Sequence, residues 1–366
     1  MSNEWVEMLK THEIEPAEAD TAIMARAKQY SQEVSQVVDL SGFAVVEISG
    51  EEAPVFLQGQ FCNDLQQVSS TRAQITGYCT PKGRLLALPT IVGFESGFRL
   101  LVPQSVKEAF IKRLSMFVMR AKVSIRESSN IRCVGFIAAD DDSVGCIQSL
   151  CDSVPVAPLE VSTSQSVQVI RWHDDHSVKR RARFLVIADN ETVTNLWNQE
   201  GELVRSGQSA WRLADISAGV PSITGGVVEA FVPQMINLQL LDGLSFTKGC
   251  YPGQEIVARM HYLGKLKRHM RLFRLPLDAA SLVTAPGPGS VPDLAPAAGS
   301  KLSCGTDLEA GVVVDAAQMG DDVVLILAVV KVSANQGTLQ YENHDLVAGD
   351  LSYDLPSLIS EQPDAV

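Results

Sequence analysis

The sequence lacks the local patterns that mark several common enzyme folds. It has no G-x-x-x-x-G-K-[ST], no G-x-S-x-G, and no G-x-G-x-x-G after a strand pattern. There is therefore no positive signal for nucleotide hydrolysis, a serine hydrolase or dinucleotide binding. The six histidines form no HxH or HxxxH pair and the seven cysteines no CxxC pair, which argues against a metal site built from protein ligands alone.

Targeting and membrane signals are also missing. No apolar run approaches the roughly 20 residues of a membrane-spanning helix. Residues 1–10 lack the basic start and apolar core of a signal peptide. The cysteines are scattered and odd in number, which disfavours a disulfide framework. We therefore expect a cytoplasmic protein in a reducing compartment, with no membrane partner.

The composition is that of a globular chain with an acidic surface. The 366 residues are 46% hydrophobic and 20% charged, and this length predicts roughly two to three domains. The net charge is −13, so bulk charge does not favour nucleic acid, and any RNA contact must use a local basic patch.

Strand and helix patterns alternate irregularly over the first two thirds of the chain, which predicts an α+β fold built on antiparallel sheet. Helices are predicted around Val55, over 105–120 with Phe110, Leu114 and Phe117 on one face, around Leu196, and over 207–218. Predicted strands cover 43–48, 74–79, 85–93, 97–103, 122–127, 131–138, 167–172 and 183–188.

The two ends of the chain differ from this middle part. Residues 1–36 are predicted to be an N-terminal helical extension. Residues 276–300 are rich in Pro, Gly, Ala and Ser and are interpreted as a linker or surface insertion. Strands at 311–315, 322–332 and 337–340 predict a small β-barrel within 301–356, and 357–366 is predicted to be a disordered tail.

The densest group of unusual residues is Lys248-Gly249-Cys250-Tyr251-Pro252-Gly253-Gln254-Glu255. Glycines on both sides of the cysteine predict positive φ angles and a close approach of the backbone to another group. A helix is expected to begin near Gly253 or Gln254. Cys250 would then precede a helix N-terminus, where the helix dipole favours a thiolate.

Two interpretations of Cys250 remain open at this point. It is either a reactive or metal-facing thiol, or a small residue buried in a tight turn. The flanking glycines and the nearby cations Lys248, Arg259 and His261 favour the first. The other cysteines are interpreted as structural, and Cys62 and Cys79 are expected to have no charged neighbour.

A basic run follows the cysteine segment in this otherwise acidic chain. It predicts either an anion site for a polyglutamylated cofactor tail, a phosphate or RNA, or a solvated face that balances acidic neighbours. Trp211 is interpreted as a stacking surface for a planar heterocycle or as a core residue. The basic side chains are Arg259, His261, Lys265, Lys267, Arg268, His269, Arg271 and Arg274.

The cysteine segment with Arg259 resembles the signature of the YgfZ family, folate-binding proteins related to the glycine-cleavage T-protein. Further likenesses cover about residues 40–275 and weaken beyond them. They are the stretches Leu57-Gln58-Gly59-Gln60 with Asn63-Asp64, Trp211 with Ala218-Gly219-Val220-Pro221, and Phe231-Val232-Pro233-Gln234 with Asn237-Leu238.

The resemblance implies a fold and a set of ligands. The fold would be a three-domain T-protein-like ring, with two interleaved ferredoxin-like α+β domains over 37–275 and a C-terminal β-barrel. The cofactor would be tetrahydrofolate, and the partners iron–sulfur enzymes such as those that methylthiolate tRNA. Cys250 would be the key thiol, and the implied folate-binding residues are Phe43, Trp211, Gln234, Asn237, Lys248, Tyr251, Gln254, Glu255 and Arg259.

Three positions depart from the family pattern. Phe43 stands where members usually have tryptophan, and Ser217 where T-protein relatives have a pterin-binding glutamate, with Asp215 two residues earlier. Ala87 and Leu88 replace the paired aspartates of the T-protein, and neither replacement can take a proton. An accessory role in iron–sulfur maintenance and tRNA modification is therefore preferred over the two alternatives, a folate-dependent one-carbon transferase and a direct tRNA-binding protein.

Overall fold

A computed structural model describes residues 3–11, 34–140, 143–199, 203–262, 266–277, 295–320 and 322–355. Most of the predicted insertion at 276–300 and the predicted tail at 357–366 lie outside these residues. The described part contains seven α-helices: α1 (Asn3–Thr11), α2 (Ala53–Gln58), α3 (Gln104–Ser115), α4 (Gly145–Gln148), α5 (Asn190–Trp197), α6 (Gln208–Ser217) and α7 (Gln254–Tyr262).

The strands of the described residues form three main sheets and one short hairpin. In chain order they are β1 (Ser35–Asp39), β2 (Phe43–Ser49), β3 (Gln74–Ile75), β4 (Tyr78–Cys79), β5 (Leu85–Ala87), β6 (Thr90–Phe94), β7 (Gly97–Pro103), β8 (Ser124–Glu127), β9 (Ile131–Ile137), β10 (Val161–Ser164), β11 (Val167–Asp175), β12 (Arg181–Asp189), β13 (Leu203–Ser206), β14 (Arg268–Pro276), β15 (Lys301–Cys304), β16 (Asp307–Met319), β17 (Val323–Lys331), β18 (Gln340–Tyr341), β19 (His344–Asp345) and β20 (Val347–Gly349).

The first sheet is antiparallel, with the strand order β3-β6-β7-β2-β8. Helix α3 packs on it through Val106, Phe110 and Leu114, which recur at helical spacing on one face. These side chains share a core with Leu57 of α2 and with Phe61. The strands β4 and β5 pair separately and form a short hairpin beside this sheet.

The second sheet has the order β10-β11-β12-β9-β1-β13 and receives strands from both sides of the first. β1 precedes the first sheet in the chain, yet it pairs in antiparallel fashion with β9 and in parallel fashion with β13. One face packs on α1 and α5 through Trp5, Leu9 and Trp197. The first α+β unit is thus inserted between two neighbouring strands of the second.

The third sheet is the nearly closed, barrel-like sheet at the C-terminal end, with the order β19-β18-β15-β16-β17-β14-β20. Its strand β17 lies between β16 and β14, and the run Val-Val-Leu-Ile-Leu-Ala-Val-Val is buried along most of its length. β14 joins it through nine residue pairs with β17, from Arg268–Lys331 to Pro276–Val323. The sheet therefore begins at Arg268, inside the range predicted for the folate-binding domains.

One hydrophobic core joins the three units. It contains side chains from the first sheet, from the second, from α6 and from the barrel-like sheet; Val45, Ile170, Leu213 and Leu327 represent these four sources. Arg212 of α6 also forms an ion pair with Asp315 of β16. The units consequently pack as one body around α6.

The structure confirms the predicted fold class, an α+β arrangement with a terminal β-barrel of the T-protein type. The domain limits taken from the sequence stay a prediction. The predicted N-terminal extension, 1–36, contains α1 and reaches into β1, which the sequence patterns did not predict. Residues 332–336 form a 3₁₀ turn before the short β18. Among the described residues, no helix combines the length and apolarity needed to cross a membrane.

The predicted helix over 105–120 is too long. α3 ends at Ser115, and the next residues continue as turns, in which the amides of Met116, Phe117 and Val118 bond to the carbonyls three residues earlier. As a result Phe117 leaves the apolar face of the helix and is exposed rather than packed with Phe110 and Leu114.

Candidate functional site

The cysteine segment forms a tight loop that leads into α7. Gly253 has φ +87°, and a Cβ at this position would lie 2.5 Å from the Thr80 carbonyl oxygen and 2.6 Å from the Cα of Gly83. Gly83 also has a positive φ, +70°. Two glycine backbones therefore pack directly on each other, which fixes the start of α7 against the turn at residues 80–84.

Lys248 holds this loop to the first α+β unit. Its side chain is largely buried, and its ammonium donates to the carbonyl oxygens of Gln58 at 2.6 Å, Phe61 at 2.6 Å and Asn63 at 2.9 Å. Gln58 ends α2, whose last carbonyls have no partner within the helix, and Phe61 and Asn63 lie in the loop that follows. Burial lowers the pKa of Lys248 to about 8. The lysine thus anchors the loop through these three carbonyls, and its predicted folate-binding role stays a prediction.

Other polar members of the segment also bond internally. The side-chain amide of Gln254 donates to the Lys248 carbonyl at 3.4 Å and closes the loop. Gln234 donates to the Val257 carbonyl at 2.7 Å and secures α7. The Tyr251 ring is buried, with the Lys248 ammonium 5.4 Å from its centroid. The predicted folate ligands Gln234, Lys248, Tyr251 and Gln254 therefore shape the loop.

Cys250 differs from its neighbours because it is exposed. Gly249, beside it, is exposed too and has no atom within 4 Å of the place that a Cβ would take. The expectation of a positive φ at Gly249 is wrong; within the segment only Gly253 has one. The structure thus presents a thiol at an open position on a rigid support, where a thiolate can attack an electrophile or bind a metal centre.

Helix α7 follows this thiol in the sequence, and one of its faces is exposed. Glu255 and Arg259 form an i,i+4 ion pair at 2.6 Å, and both side chains are exposed. His261, two residues later, stacks on Phe246 with ring centroids 3.6 Å apart. Phe246 precedes Cys250 by four residues, so the loop runs back along α7.

Cys62 does have a charged neighbour, contrary to expectation. It is fully buried, and its sulfur accepts a hydrogen bond from the Gly77 amide at 3.2 Å. Burial opposes ionisation, but hydrogen bonds from Cys79, Gly77 and Thr76 and the ammonium of Lys248 together lower the pKa of Cys62. The neighbour escaped sequence reasoning because 186 positions separate it from Cys62 in the chain.

A second polar group lies where α6 crosses the second sheet. The indole of Trp172 and the guanidinium of Arg183 both donate to Oδ1 of Asp215 at 2.8 Å. The Asp215 side chain is 18% exposed, and no described residue bonds to its Oδ2. Nη2 of Arg183 is buried and has no partner among the described residues. Oδ2 is thus an acceptor on a partly exposed side chain, and Nη2 is an unpaired donor that solvent does not reach.

The predicted stacking residue Trp211 forms part of the wall of this group. It is 2% exposed, and its ring fills the space above Gly135. The guanidinium of Arg183 lies 4.6 Å from the Trp211 ring centroid, a favourable cation–π geometry. Phe43 is half-buried and packs against the central core. Sequence reasoning did not single out Trp172 and placed Arg183 in a short basic run interpreted as a loop. The pairing of β11 with β12 brings the two residues together.

Asn237, another predicted folate ligand, forms hydrogen bonds within the protein. It adopts the left-handed conformation at φ +58°, which asparagine tolerates better than most residues. Its side-chain amide donates to the Met270 carbonyl at 3.0 Å and to the Tyr353 hydroxyl at 3.3 Å. The Tyr353 hydroxyl in turn donates to the Gly219 carbonyl at 2.9 Å. This chain of bonds fixes the barrel and residues 351–353 to the end of α6.

The basic run is divided between two elements. Arg259 and His261 are exposed on α7, whereas Arg268, His269 and Arg271 belong to β14 in the barrel-like sheet. His269 is buried, and burial lowers its pKa. Lys265 lies outside the described residues. The run is therefore not one continuous anion-binding arm.

Carboxylate and metal chemistry gain no support near the thiol. Ala87 and Leu88, predicted to replace the paired aspartates of the T-protein, are buried apolar residues. Within the described part of the chain, no three His, Cys, Asp or Glu side chains are grouped so that they could hold a metal ion. Cys250 and the Asp215 group thus remain the two chemically available features of the predicted site.

The amino-acid sequence was compared with those of known proteins. No family model matches the chain. The chain is 33% identical over 232 residues to the tRNA-modifying protein YgfZ of Colwellia psychrerythraea, a match that covers 63% of this chain and 69% of that protein. It is 28% identical over 330 residues to the protein of the same name from Sodalis glossinidius, which covers 89% and 94% of the two chains.

A solved structure has a similar fold. The crystal structure of the glycine cleavage system aminomethyltransferase T from Bartonella henselae superposes with a TM-score of 0.64 and covers 87% of this chain and 86% of its own. The sequence identity is 11%, so this likeness concerns the fold alone.

Proposed function

Because this chain belongs to the YgfZ family, we propose that it is an accessory protein of tRNA modification and works through the thiol of Cys250. The observation that carries the proposal is that the residues of the cysteine segment differ in role: most bond within the protein, and one does not. Lys248, Gln254 and Gly253 are engaged in holding the loop, and Cys250 is left exposed. An exposed thiol on a fixed support suits transient contact with a partner.

The partners in this proposal are iron–sulfur enzymes, such as those that methylthiolate tRNA. Thiolates are the usual protein ligands of iron–sulfur clusters. An exposed cysteine with no metal-ligating group around it in the described residues is suited to one short-lived bond rather than to a resident metal site. Two roles for the thiol stay open: it protects or passes on a cluster intermediate, or it acts at a folate carbon.

The test is to replace Cys250 in cells whose own copy of the gene is deleted. Cys250→Ser is expected to lower the methylthiolated fraction of tRNA nucleosides, measured by mass spectrometry, to the level of the deletion. Cys146→Ser, at a half-buried cysteine outside the segment, is the matched control and should restore the fraction fully. Full restoration by Cys250→Ser at equal protein level would remove the central claim.

We also propose that the Asp215 group holds tetrahydrofolate. The residues fit the group, because a pterin ring is planar, apolar on its faces and lined with donors and acceptors. Oδ2 of Asp215 and Nη2 of Arg183 can bond its edge, and Trp172 supplies an aromatic wall. When bound, tetrahydrofolate would accept a one-carbon unit, and its one-carbon-substituted forms would donate one. Phe43, Trp211 and the α7 pair Glu255 and Arg259 keep their predicted folate-binding roles.

Calorimetry tests the folate proposal separately from the role of Cys250. The purified chain is titrated with tetrahydrofolate, and Asp215→Asn is expected to weaken binding about tenfold, since one charge-assisted hydrogen bond contributes roughly 1.5 kcal/mol. Asp350→Asn is the exposed control. Absence of binding by the unaltered chain at high micromolar ligand would overturn this proposal, whereas Cys250→Ser should bind normally.

The transferase alternative and the direct tRNA-binding alternative receive less support. Ala87 and Leu88 offer no proton acceptor to a substrate amine. The basic run that favoured RNA is split between α7 and β14. The accessory role is therefore the function that the described residues support best.

A further inference from the structure

We propose that residues 112–122, at the end of α3, form a docking surface for an acidic, apolar segment of a partner protein. This surface, called here the α3 patch, belongs to a different element from the Cys250 loop. The proposal does not depend on tetrahydrofolate or on the role of the thiol.

The α3 patch exposes large apolar side chains next to one another in the chain. Met116 is 70% exposed, Phe117 43% and Met119 88%. Single exposed apolar residues are common on protein surfaces, but neighbouring ones of this size usually mark an interaction site. Methionine and phenylalanine are enriched at the centres of protein interfaces, and methionine adapts to varied partners.

The backbone holds these side chains outward. Successive bonds run from the Met116, Phe117 and Val118 amides to carbonyls three residues earlier, and the Ala121 amide bonds to the Val118 carbonyl at 2.8 Å. Met119 has φ +45°, in the left-handed region that is uncommon for a bulky residue. The surrounding turns maintain this backbone conformation, which costs conformational energy. In this conformation the apolar side chain of Met119 is directed to solvent.

Basic side chains outnumber acidic ones along the chain segment that contains the patch, and two of them have no acidic partner among the described residues. Residues 104–126 contain six basic side chains and one acid, in a chain of net charge −13. Lys107, Lys122 and Arg126 pair with Glu127, Glu51 and Glu47. Lys112 and Arg120 are exposed and form no salt bridge with any described residue.

These observations favour a protein partner that carries carboxylates around an apolar centre. Unpaired cations at the rim attract opposite charge and exclude basic partners, while the methionines supply apolar area. RNA is less suitable, because a base needs an open aromatic face, and Phe117 is only partly exposed with the Arg113 guanidinium 5.9 Å from its ring centroid.

Peptide selection tests the surface while the partner itself is unidentified. The full-length chain is panned against a random 16-residue peptide display library, and the triple variant M116S/F117S/M119S is used for counter-selection. The enriched peptides are synthesised and their binding is measured by fluorescence anisotropy. The matched control is V156S/V178S/L308S, at three exposed apolar residues elsewhere, and circular dichroism checks that all variants fold.

We expect enrichment of peptides in which Asp or Glu flank Leu, Phe or Trp. Their affinity should fall at least tenfold in M116S/F117S/M119S, at least fivefold in K112E/R120E, and less than twofold in the control. Replacing the acids of the peptide by Lys should restore binding to K112E/R120E. Selection of no peptide that distinguishes the chain from the patch variant would overturn the proposal.

Two further probes separate other classes of partner. A 20-nucleotide single-stranded RNA and vesicles of phosphatidylcholine with one third phosphatidylglycerol are titrated against the same variants. We expect neither to bind in a way that depends on the patch. Patch-dependent binding of either probe, without acidic peptides, would assign the surface to RNA or to lipid and refute a protein partner.

Discussion

Lys248 shows how a single side chain decides whether the functional loop exists. Its ammonium satisfies three buried carbonyls, and removing it leaves acceptors that water cannot easily reach. Lys248→Met is expected to lower the free energy of unfolding by about 3 kcal/mol. Urea denaturation measures this value, and Lys82→Met, at an exposed lysine in the adjacent turn, should change it by less than about 0.5 kcal/mol.

His173 gives a pH-dependent prediction. Burial, and next the charge of Arg183, lower the pKa of His173 to about 4. Below pH 6.5 the imidazole of His173 is protonated in the unfolded chain but stays neutral in the folded chain. The neutral histidine therefore favours folding fully above pH 6.5, and this contribution is lost as the pH falls towards 4, by up to about 3 kcal/mol.

Urea denaturation at several pH values measures this effect. His173→Gln removes the titrating group, so its stability should decline less than that of the unaltered chain between pH 6.5 and 4. His344→Gln, at an exposed histidine of β19, is the control. Parallel pH profiles for His173→Gln and the unaltered chain would show that the histidine takes up its proton in both states.

The candidate site depends on the start of α7. Gly253 and Gly249, on either side of Cys250, allow a strained and an open position to be compared. Gly253→Ala forces an L side chain to φ +87° and brings a Cβ to 2.5 Å from a carbonyl oxygen. We expect a loss of about 3 kcal/mol, seen as a lower midpoint of thermal unfolding. Gly249→Ala, at an open position without positive φ, should stay within about 0.5 kcal/mol of the original. Equal losses in both variants would contradict this account.

Regular elements with a strong local pattern were predictable from the sequence. The stretch 43–48, rich in β-branched residues, and the buried run of β17 are examples, and both lie in strands. β14 was missed because its four basic residues interrupt the apolar ones, and its place in the sheet depends on pairing with β17, which is distant in the chain. The end of α3 was misplaced because the apolar spacing continues through Phe117, although the chain leaves the helix at Ser115.

The chemical content of the site was less predictable than its position. The sequence located the cysteine segment and the start of α7, and α7 begins at Gln254. It did not reveal that Lys248 and Gln254 bond inward, because such bonds depend on backbone carbonyls, which sequence letters do not distinguish. For the same reason the pairing of Arg183 with Asp215 was invisible, since the two residues lie on different elements.

At the scale of the molecule, the shared core predicts cooperative unfolding. Side chains from all three units pack together around α6. The unfolding of one unit therefore exposes part of the apolar surface of the other two, although each unit also has a core of its own. Thermal unfolding followed by tryptophan fluorescence and by far-ultraviolet circular dichroism should give one midpoint. Trp172 and Trp211 report on the centre, whereas circular dichroism reports on all sheets. Two midpoints separated by more than a few degrees would show that the units unfold independently.

The insertion of the first α+β unit between β1 and β9 also affects how the chain is made. A ribosome releases β1 early, but its parallel neighbour β13 only after residue 206. Residues 43–127 contain every strand of the first sheet and emerge in the meantime. During synthesis β1 must therefore wait with an unpaired edge, and this nascent stage is the one at which a chaperone or a misfolding partner has its best access to the protein.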